Sequence, residues 1–237
     1  MERTYDELAR SRVINKLKQD NTRGNFEDGI NKLKDKLLDS NLSHKSFNRI
    51  LKSIDILQSA CIAPRFLQIG DQAPDFELTN SIGNVVRLSE VVKQGKVILN
   101  FYRGGWCPYC YLELRALQKI NALIKKDGTR IIAISPESKE DCGRTIERNQ
   151  LQFEVLSDKA NRITELYRLI SKNDRSVDSL LDISLESAID SGDISYQLPV
   201  PGMFVVDEWM TIRFAFTEPD YRKRVNMNLL LDCLRQI

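Results

Sequence analysis

The sequence holds a single histidine, His44, among 237 residues. Its one Cys-x-x-Cys pair, Cys107 and Cys110, has no second pair to accompany it. Structural zinc draws four ligands from Cys and His, so half of the usual set is missing and no metal is expected. Charge of one sign is also lacking: 35 Lys and Arg stand against 33 Asp and Glu, a net charge of +2. So balanced a chain has no electrostatic reason to seek nucleic acid or an anionic membrane surface. No apolar run approaches the ~18 residues of a membrane span. The opening residues, Met1-Glu-Arg-Thr-Tyr-Asp6, lack the apolar centre of a signal peptide. A cytoplasmic location is the expectation. The five cysteines (Cys61, Cys107, Cys110, Cys142 and Cys233) are odd in number and widely spaced, which argues against a secreted disulfide framework.

What is present is organised around Arg103-Gly-Gly-Trp-Cys-Pro-Tyr-Cys110. The apolar run Val97 to Tyr102 leads into it, and Tyr111 to Lys126 leaves it with helical periodicity. The stretch reads as a strand, a Gly-containing turn and a helix whose first turn holds both sulfurs. A helix N-terminus has unpaired N–H groups and about +0.5 of an elementary charge, which favours the nucleophilic thiolate of a cysteine placed there. Pro108 suits the first helical turn, where a missing N–H costs nothing. The three-residue separation brings both sulfurs within reach of one disulfide. Redox chemistry is the expectation from these residues alone.

Residues 1–65 are expected to form an all-helical N-terminal extension. Apolar residues recur at helical spacing in three sets: Tyr5 to Leu17, Phe26 to Leu37, and Phe47 to Cys61. Each stripe is narrow, so these helices need a partner surface, either the main domain or a twin subunit in a homodimer. His44 reads as an exposed residue at a helix start. A second domain, 66–237, opens with a β-hairpin at Glu77-Leu78 and Val85-Val86-Arg87, and a short helix follows at Ser89 to Val92. After the motif, Leu112, Ala116, Leu117, Ile120, Leu123 and Ile124 mark the expected buried helix face. Arg130 to Ser135 and Phe153 to Leu156 read as strands, and Ser138 to Asn149 and Ala160 to Ile170 as helices. This alternation implies an α/β sheet with parallel strands and helices on both faces. Residues 171–197, rich in Ser and Asp, break the pattern and read as an inserted loop. Strands at Met203 to Val206 and Thr211 to Phe216 and a helix at Asn226 to Ile237 close the chain.

Several stretches carry a family resemblance. Gly70-Asp-Gln-Ala-Pro-Asp-Phe76, Asn100-Phe-Tyr-Arg-Gly-Gly-Trp-Cys-Pro-Tyr-Cys110 and Leu112-Glu-Leu-Arg-Ala-Leu117 resemble the peroxiredoxin-like proteins. These form the alkyl hydroperoxide reductase and thiol-specific antioxidant group of the thioredoxin superfamily. Ala133-Ile-Ser-Pro136, Val155-Leu-Ser-Asp158, Leu198-Pro-Val-Pro201 and Asp220-Tyr-Arg-Lys-Arg224 extend the similarity over roughly residues 66–237. The resemblance implies a thioredoxin-like fold, a central mixed β-sheet flanked by helices. Typical peroxiredoxins carry a Pro, a Thr or Ser and the peroxidatic Cys where this chain has Arg103, Cys107 and Cys110. A typical thioredoxin has Trp-Cys-x-x-Cys, which matches Trp106 to Cys110, and Pro-Tyr is the dipeptide of glutaredoxins. The two patterns leave open which sulfur attacks first.

The function so implied is a thiol peroxidase that reduces hydroperoxides through Cys107 and Cys110, with no cofactor. An external dithiol, thioredoxin or glutaredoxin, would regenerate it. Two alternatives are a thioredoxin- or glutaredoxin-like protein disulfide reductase and a redox-sensing interaction protein. Arg103 is expected to lower a thiolate pKa or orient peroxide. Trp106 is expected to shield the disulfide from water. Typical peroxiredoxins place an Arg where Pro201 stands, and thioredoxins a cis-proline, so a cis Val200–Pro201 bond against the Cys107–Cys110 turn is expected. Glu113 and Arg115 read as surface or salt-bridge residues. Cys61, Cys142 and Cys233 read as inert thiols.

Overall fold

A computed structural model describes residues 66–170 and 198–237. The helices expected in 1–65 and the insertion at 171–197, with His44 and Cys61, lie outside the described residues. The backbone N–H of Val200 donates to the carbonyl of Leu169 at 2.9 Å, so the chain meets itself across the second gap.

Seven strands form one sheet in the order β2-β1-β5-β4-β3-β6-β7. They are β1 (Glu77–Asn80), β2 (Val85–Arg87), β3 (Val97–Phe101), β4 (Arg130–Ser135), β5 (Glu154–Ser157), β6 (Gly202–Val206) and β7 (Ile212–Thr217). Among the described residues five α-helices accompany them: α1 (Leu88–Val91), α2 (Pro108–Lys126), α3 (Lys139–Asn149), α4 (Arg162–Leu166) and α5 (Met227–Leu234). Only β3, β4 and β5 run parallel; β1–β2, β1–β5, β3–β6 and β6–β7 are antiparallel. The sheet is therefore mixed. Parallel neighbours need a crossover, and α2 and α3 supply the two that join β3 to β4 and β4 to β5. The hairpin turn is held by Asn80, whose Oδ1 accepts from the N–H groups of Ile82 (3.2 Å) and Asn84 (2.9 Å).

Strand alternation sorts the core into two faces. Leu99 and Phe101 of β3, with Ile132, Ile134, Leu156, Phe204 and Val206, pack with Leu88, Val92, Tyr167 and Leu169. Phe101, Tyr167 and Phe204 form a ring cluster with centroids 4.8 to 6.0 Å apart. On the other face Ile98, Ile131, Met203, Val205 and Phe214 meet Leu117 and Ile124 of α2 and Leu230 and Leu234 of α5. Every residue of β3 is buried, as its central place requires.

Two helices are shorter than their periodicity suggests. The helix expected over 160–170 is confined to Arg162–Leu166, because Asn161 (φ 54°) and Arg168 (φ 58°) take left-handed backbone on either side. The last helix starts one residue after Asn226, whose side chain accepts from the Asn228 N–H at 2.9 Å, and ends at Leu234.

The parallel strands fix where chemistry can sit. β3 and β4 end side by side, and Tyr102, just past β3, donates its N–H to the carbonyl of Ile134 at 3.0 Å. In open α/β sheets the crevice beyond the C-terminal ends of such strands is where ligands bind.

Candidate active site

From Tyr102 the chain makes a short loop through Gly104 and Gly105 and enters α2. Gly104 has φ 151°, in the region that favours glycine, and a Cβ there would strike the Trp106 indole and Glu137 Oε1. A Cβ on Gly105 would run into Thr145 of α3. The loop thus lies flat against its neighbours. Cys107 is the N-cap residue of α2 and Pro108 its first helical residue. The Cys107 N–H donates to Gly104 at 3.1 Å and its carbonyl accepts the Tyr111 N–H at 2.9 Å.

The two sulfurs are unequal. Both are free thiols, Cys107 1% exposed and Cys110 fully buried. A hydrogen bond from the Cys110 thiol lowers Cys107 to about 6 against the cost of burial, helped by the Arg103 and Arg224 guanidiniums and the Cys110 N–H. Burial, reinforced by the Cys107 sulfur, pushes Cys110 well above the usual thiol range despite Arg224 and the Arg103 N–H. Of the two sulfurs, Cys107 is the one whose thiolate is favoured.

Arg103 is buried, its guanidinium 4.3 Å from the centroid of Tyr221 and 5.3 Å from that of Trp106. Trp106 is 40% exposed, so it covers Arg103 while keeping one side in solvent. Tyr221 also meets Tyr109 edge-on, with centroids 5.7 Å apart. Pro201 comes near the loop, since carrying the β3–β6 register one step past the Phe101–Gly202 pair sets it opposite Tyr102. The expected cis bond is not there: every described peptide bond is trans. Trans geometry lets Val200 reach Leu169 and run straight into β6.

Arg224, Glu113 and Glu137, none of them expected at this site from the sequence, belong to it. Arg224, in the segment after β7, donates from Nη2 to Cys110 Sγ at 3.4 Å. Its Nε lies 2.9 Å from Glu113 Oε2, both side chains buried, close enough for an ion pair although the N–H is not aligned on the oxygen. Of the two readings expected for Glu113, surface or salt bridge, the second holds, with the pair buried. Arg115 is half-buried and donates to the Asn149 carbonyl at 3.0 Å. The third is Glu137, just beyond β4. Its Oε1 accepts the Gly105 N–H at 2.9 Å, and its Oε2 accepts the hydroxyls of Tyr102 and Ser135, each at 3.2 Å. Burial raises its pKa against these three donors. Cys142 sits behind this group, 3.9 Å from Ser135 Oγ, its thiol pushed up to about 12 by burial first and Glu137 second. At that value it is inert at neutral pH. Cys233 is half-buried, and burial raises it too. Among the described residues no group of three or more His, Cys, Asp or Glu side chains is placed to hold a metal.

Glu137 ties the loop to β4, so its removal has a defined cost. Glu137→Ala leaves the Gly105 N–H and two buried hydroxyls without their acceptor, and a stability loss of about 1–3 kcal/mol is expected. Chemical denaturation reads this directly. Glu137→Gln, which keeps an acceptor for Gly105, should lose clearly less; equal losses would show that the carboxylate bonds do not hold the loop.

Comparison with known proteins agrees with the geometry. The AhpC/TSA family profile matches residues 69–215. Over 102 residues the chain is 33% identical to the thiol-disulfide oxidoreductase ResA of Geobacillus kaustophilus, covering 43% of this chain and 58% of that protein. It is 31% identical to the peroxiredoxin Bcp of Bacillus subtilis, also over 102 residues, which are 43% of this chain and 64% of that one. The matched stretch thus spans less than two thirds of either relative. Among solved structures, the peroxidoxin BcpB of Mycobacterium tuberculosis superposes with a TM-score of 0.57 at 19% identity, covering 72% of this chain and 98% of that one. That likeness speaks for the thioredoxin-like fold. No helix among the described residues is long and apolar enough to cross a membrane. With its profile matched across strands β1 to β6 and part of β7, and with the CxxC turn inside the match, the chain belongs to the AhpC/TSA family.

Proposed function

We propose that the protein is a thiol peroxidase in which Cys107 attacks a hydroperoxide and Cys110 resolves the product. The observation that carries this reading is the Cys107 sulfur itself. It is held as a thiolate with a pKa of about 6, yet is only 1% exposed. A small oxidant reaches such a sulfur far more easily than a folded disulfide partner does. The Cys107 thiolate attacks the terminal peroxide oxygen, the O–O bond breaks, and the alkoxide leaves as alcohol after taking a proton. Cys107 is then a sulfenic acid. Cys110 attacks its sulfur, the S–O bond breaks, and hydroxide leaves as water with the Cys110 proton. An external dithiol of the thioredoxin or glutaredoxin type returns two electrons by exchange.

Disulfide reduction is the second reading, favoured by Trp106, an exposed apolar face beside the nucleophile. Arg103 separates the two. Its guanidinium is near enough to favour the Cys107 thiolate and is therefore the positive charge that would act on a peroxide brought to that sulfur. In single-turnover assays Arg103→Ala should slow reaction with hydroperoxide about tenfold or more, which is about 1.4 kcal/mol of transition-state stabilisation. Reaction with a small disulfide should change much less. Equal, small effects on both would favour the reductase.

A further inference from the structure

Cys110 occupies a place that opposes its own chemistry. A resolving sulfur must act as a thiolate, because the thiolate is the nucleophilic form. Yet Cys110 is fully buried in an apolar cluster with Leu114, Ala133 and Val155. Burial disfavours its charged form. The polar and charged groups that act on it are the Cys107 sulfur and the Arg103 backbone N–H from the loop, Glu113 from α2 and Arg224 from the segment after β7.

Of these only Arg224 brings a positive charge to the sulfur. Its Nη2 donates to Cys110 Sγ at 3.4 Å, and its side chain is 1% exposed. The guanidinium is fixed on three sides. Nη1 donates to the carbonyls of Tyr221 and Lys223, the latter at 2.7 Å, and Nε faces Glu113. Burying a guanidinium costs several kcal/mol, which an opposite charge and good hydrogen bonds only partly offset. Glu113 alone would make an ordinary ion pair. The remaining nitrogen, Nη2, is directed at a sulfur.

We propose that Arg224 is a catalytic residue that stabilises Cys110 as a thiolate while that sulfur attacks the oxidised Cys107. This rests on the order of attack proposed above, Cys107 first and Cys110 second. In the resolving step the Cys110–Cys107 bond forms, the bond from Cys107 to its leaving group breaks, and the proton from Cys110 leaves with that group. Arg224 exchanges no electrons; it lowers the energy of the charge that appears on Cys110. Such charge-assisted bonds are about twice as strong as neutral ones.

The test separates the two steps in the full-length protein. The chromophoric disulfide 5,5′-dithiobis(2-nitrobenzoate) releases one equivalent of coloured thiolate when Cys107 attacks and a second when Cys110 resolves. Arg224 also favours the Cys107 thiolate, so the comparison is made at about pH 9, where Cys107 stays largely ionised without that help. There the first release of Arg224→Met should stay within about threefold of wild type, and the second should slow at least about tenfold. The pH midpoint of the second release should move upward, and Arg224→Lys should restore part of both effects. With cumene hydroperoxide, Arg224→Met should accumulate a Cys107 sulfenic acid that dimedone traps for mass spectrometry. The double variant Glu113→Gln with Arg224→Met removes both charges together and serves if the single variant does not fold. Unchanged second release, or equal slowing of both releases, overturns the assignment. Wild type that reacts with the disulfide but not the hydroperoxide overturns the peroxidase reading alone, and the second release still judges Arg224.

Discussion

Cys107→Ser is expected to lose peroxide turnover by about a thousandfold or more, since it removes the only sulfur of the pair held as a thiolate. Cys110→Ser should behave differently. It retains one attack per molecule and then stops as a stable sulfenic acid, because no neighbour is left to resolve it. Quantifying dimedone adducts in each variant reads both outcomes. An adduct on Cys110 in the Cys107→Ser protein would reverse the order of attack. The pH dependence has a definite sign. Cys107 is lowered from the ordinary thiol range to about 6, so the rate of the first attack should be level above neutrality and fall as pH drops through about 6. Loss of rate already between pH 8 and 9 would mean that the sulfur is an ordinary thiol.

A second large effect is expected at Glu113. Glu113→Ala leaves the Arg224 guanidinium buried without its carboxylate, a change that typically costs about 3–5 kcal/mol. Replacing both members, Glu113→Leu with Arg224→Met, should cost far less, because the uncompensated charge is then gone. Urea denaturation of the two proteins decides this. A single variant as stable as the double would mean that the pair is not a coupled unit. Burial also raises the Glu113 pKa to about 7 despite the pull of Arg224, whereas an unfolded glutamate titrates at about 4.3. The folded protein then holds the extra proton between those values. The Glu113 contribution is full below about pH 4 and is lost as pH rises through about 7. Glu113→Gln should remove that part of the pH dependence.

The sheet and its turn were legible because their signals are local. The hairpin at Glu77 to Arg87, the apolar strands and the Pro108 helix start each carry their own pattern in a few residues. Residues brought together across the chain were not. Arg224 lies 114 positions from Cys110, and nothing in its own segment marks it as a sulfur partner. The α2 helix misled for a different reason. Its apolar positions suggested a face through Leu112, Ala116, Leu117, Ile120, Leu123 and Ile124; Leu117 and Ile124 are buried, but Leu123 is 48% exposed. The buried stripe runs through Cys110, Glu113, Leu114, Leu117, Asn121 and Ile124. Two polar residues lie on it, each with a distant partner: Glu113 with Arg224, and Asn121 with the Gln152 carbonyl at 3.2 Å. A hydropathy pattern rotates toward the wrong side whenever a buried face is partly polar. Glu113 stands three residues after Cys110, on the same side of the helix, and that spacing was the available clue. The trans Val200–Pro201 bond shows the opposite error, a feature borrowed by analogy that the local backbone does not adopt.

The way Glu137 holds the loop has a bearing on how the protein tolerates change. Within residues 104–106 its carboxylate grips a backbone group, the N–H of Gly105. The position of the loop is thereby separated from the identity of its outward-facing residues. Trp106 can be randomised in a combinatorial library while Gly104, Gly105 and Glu137 are kept, and Cys107 should stay where it is. The surface beside the nucleophile can then be altered by selection without rebuilding the nucleophile itself.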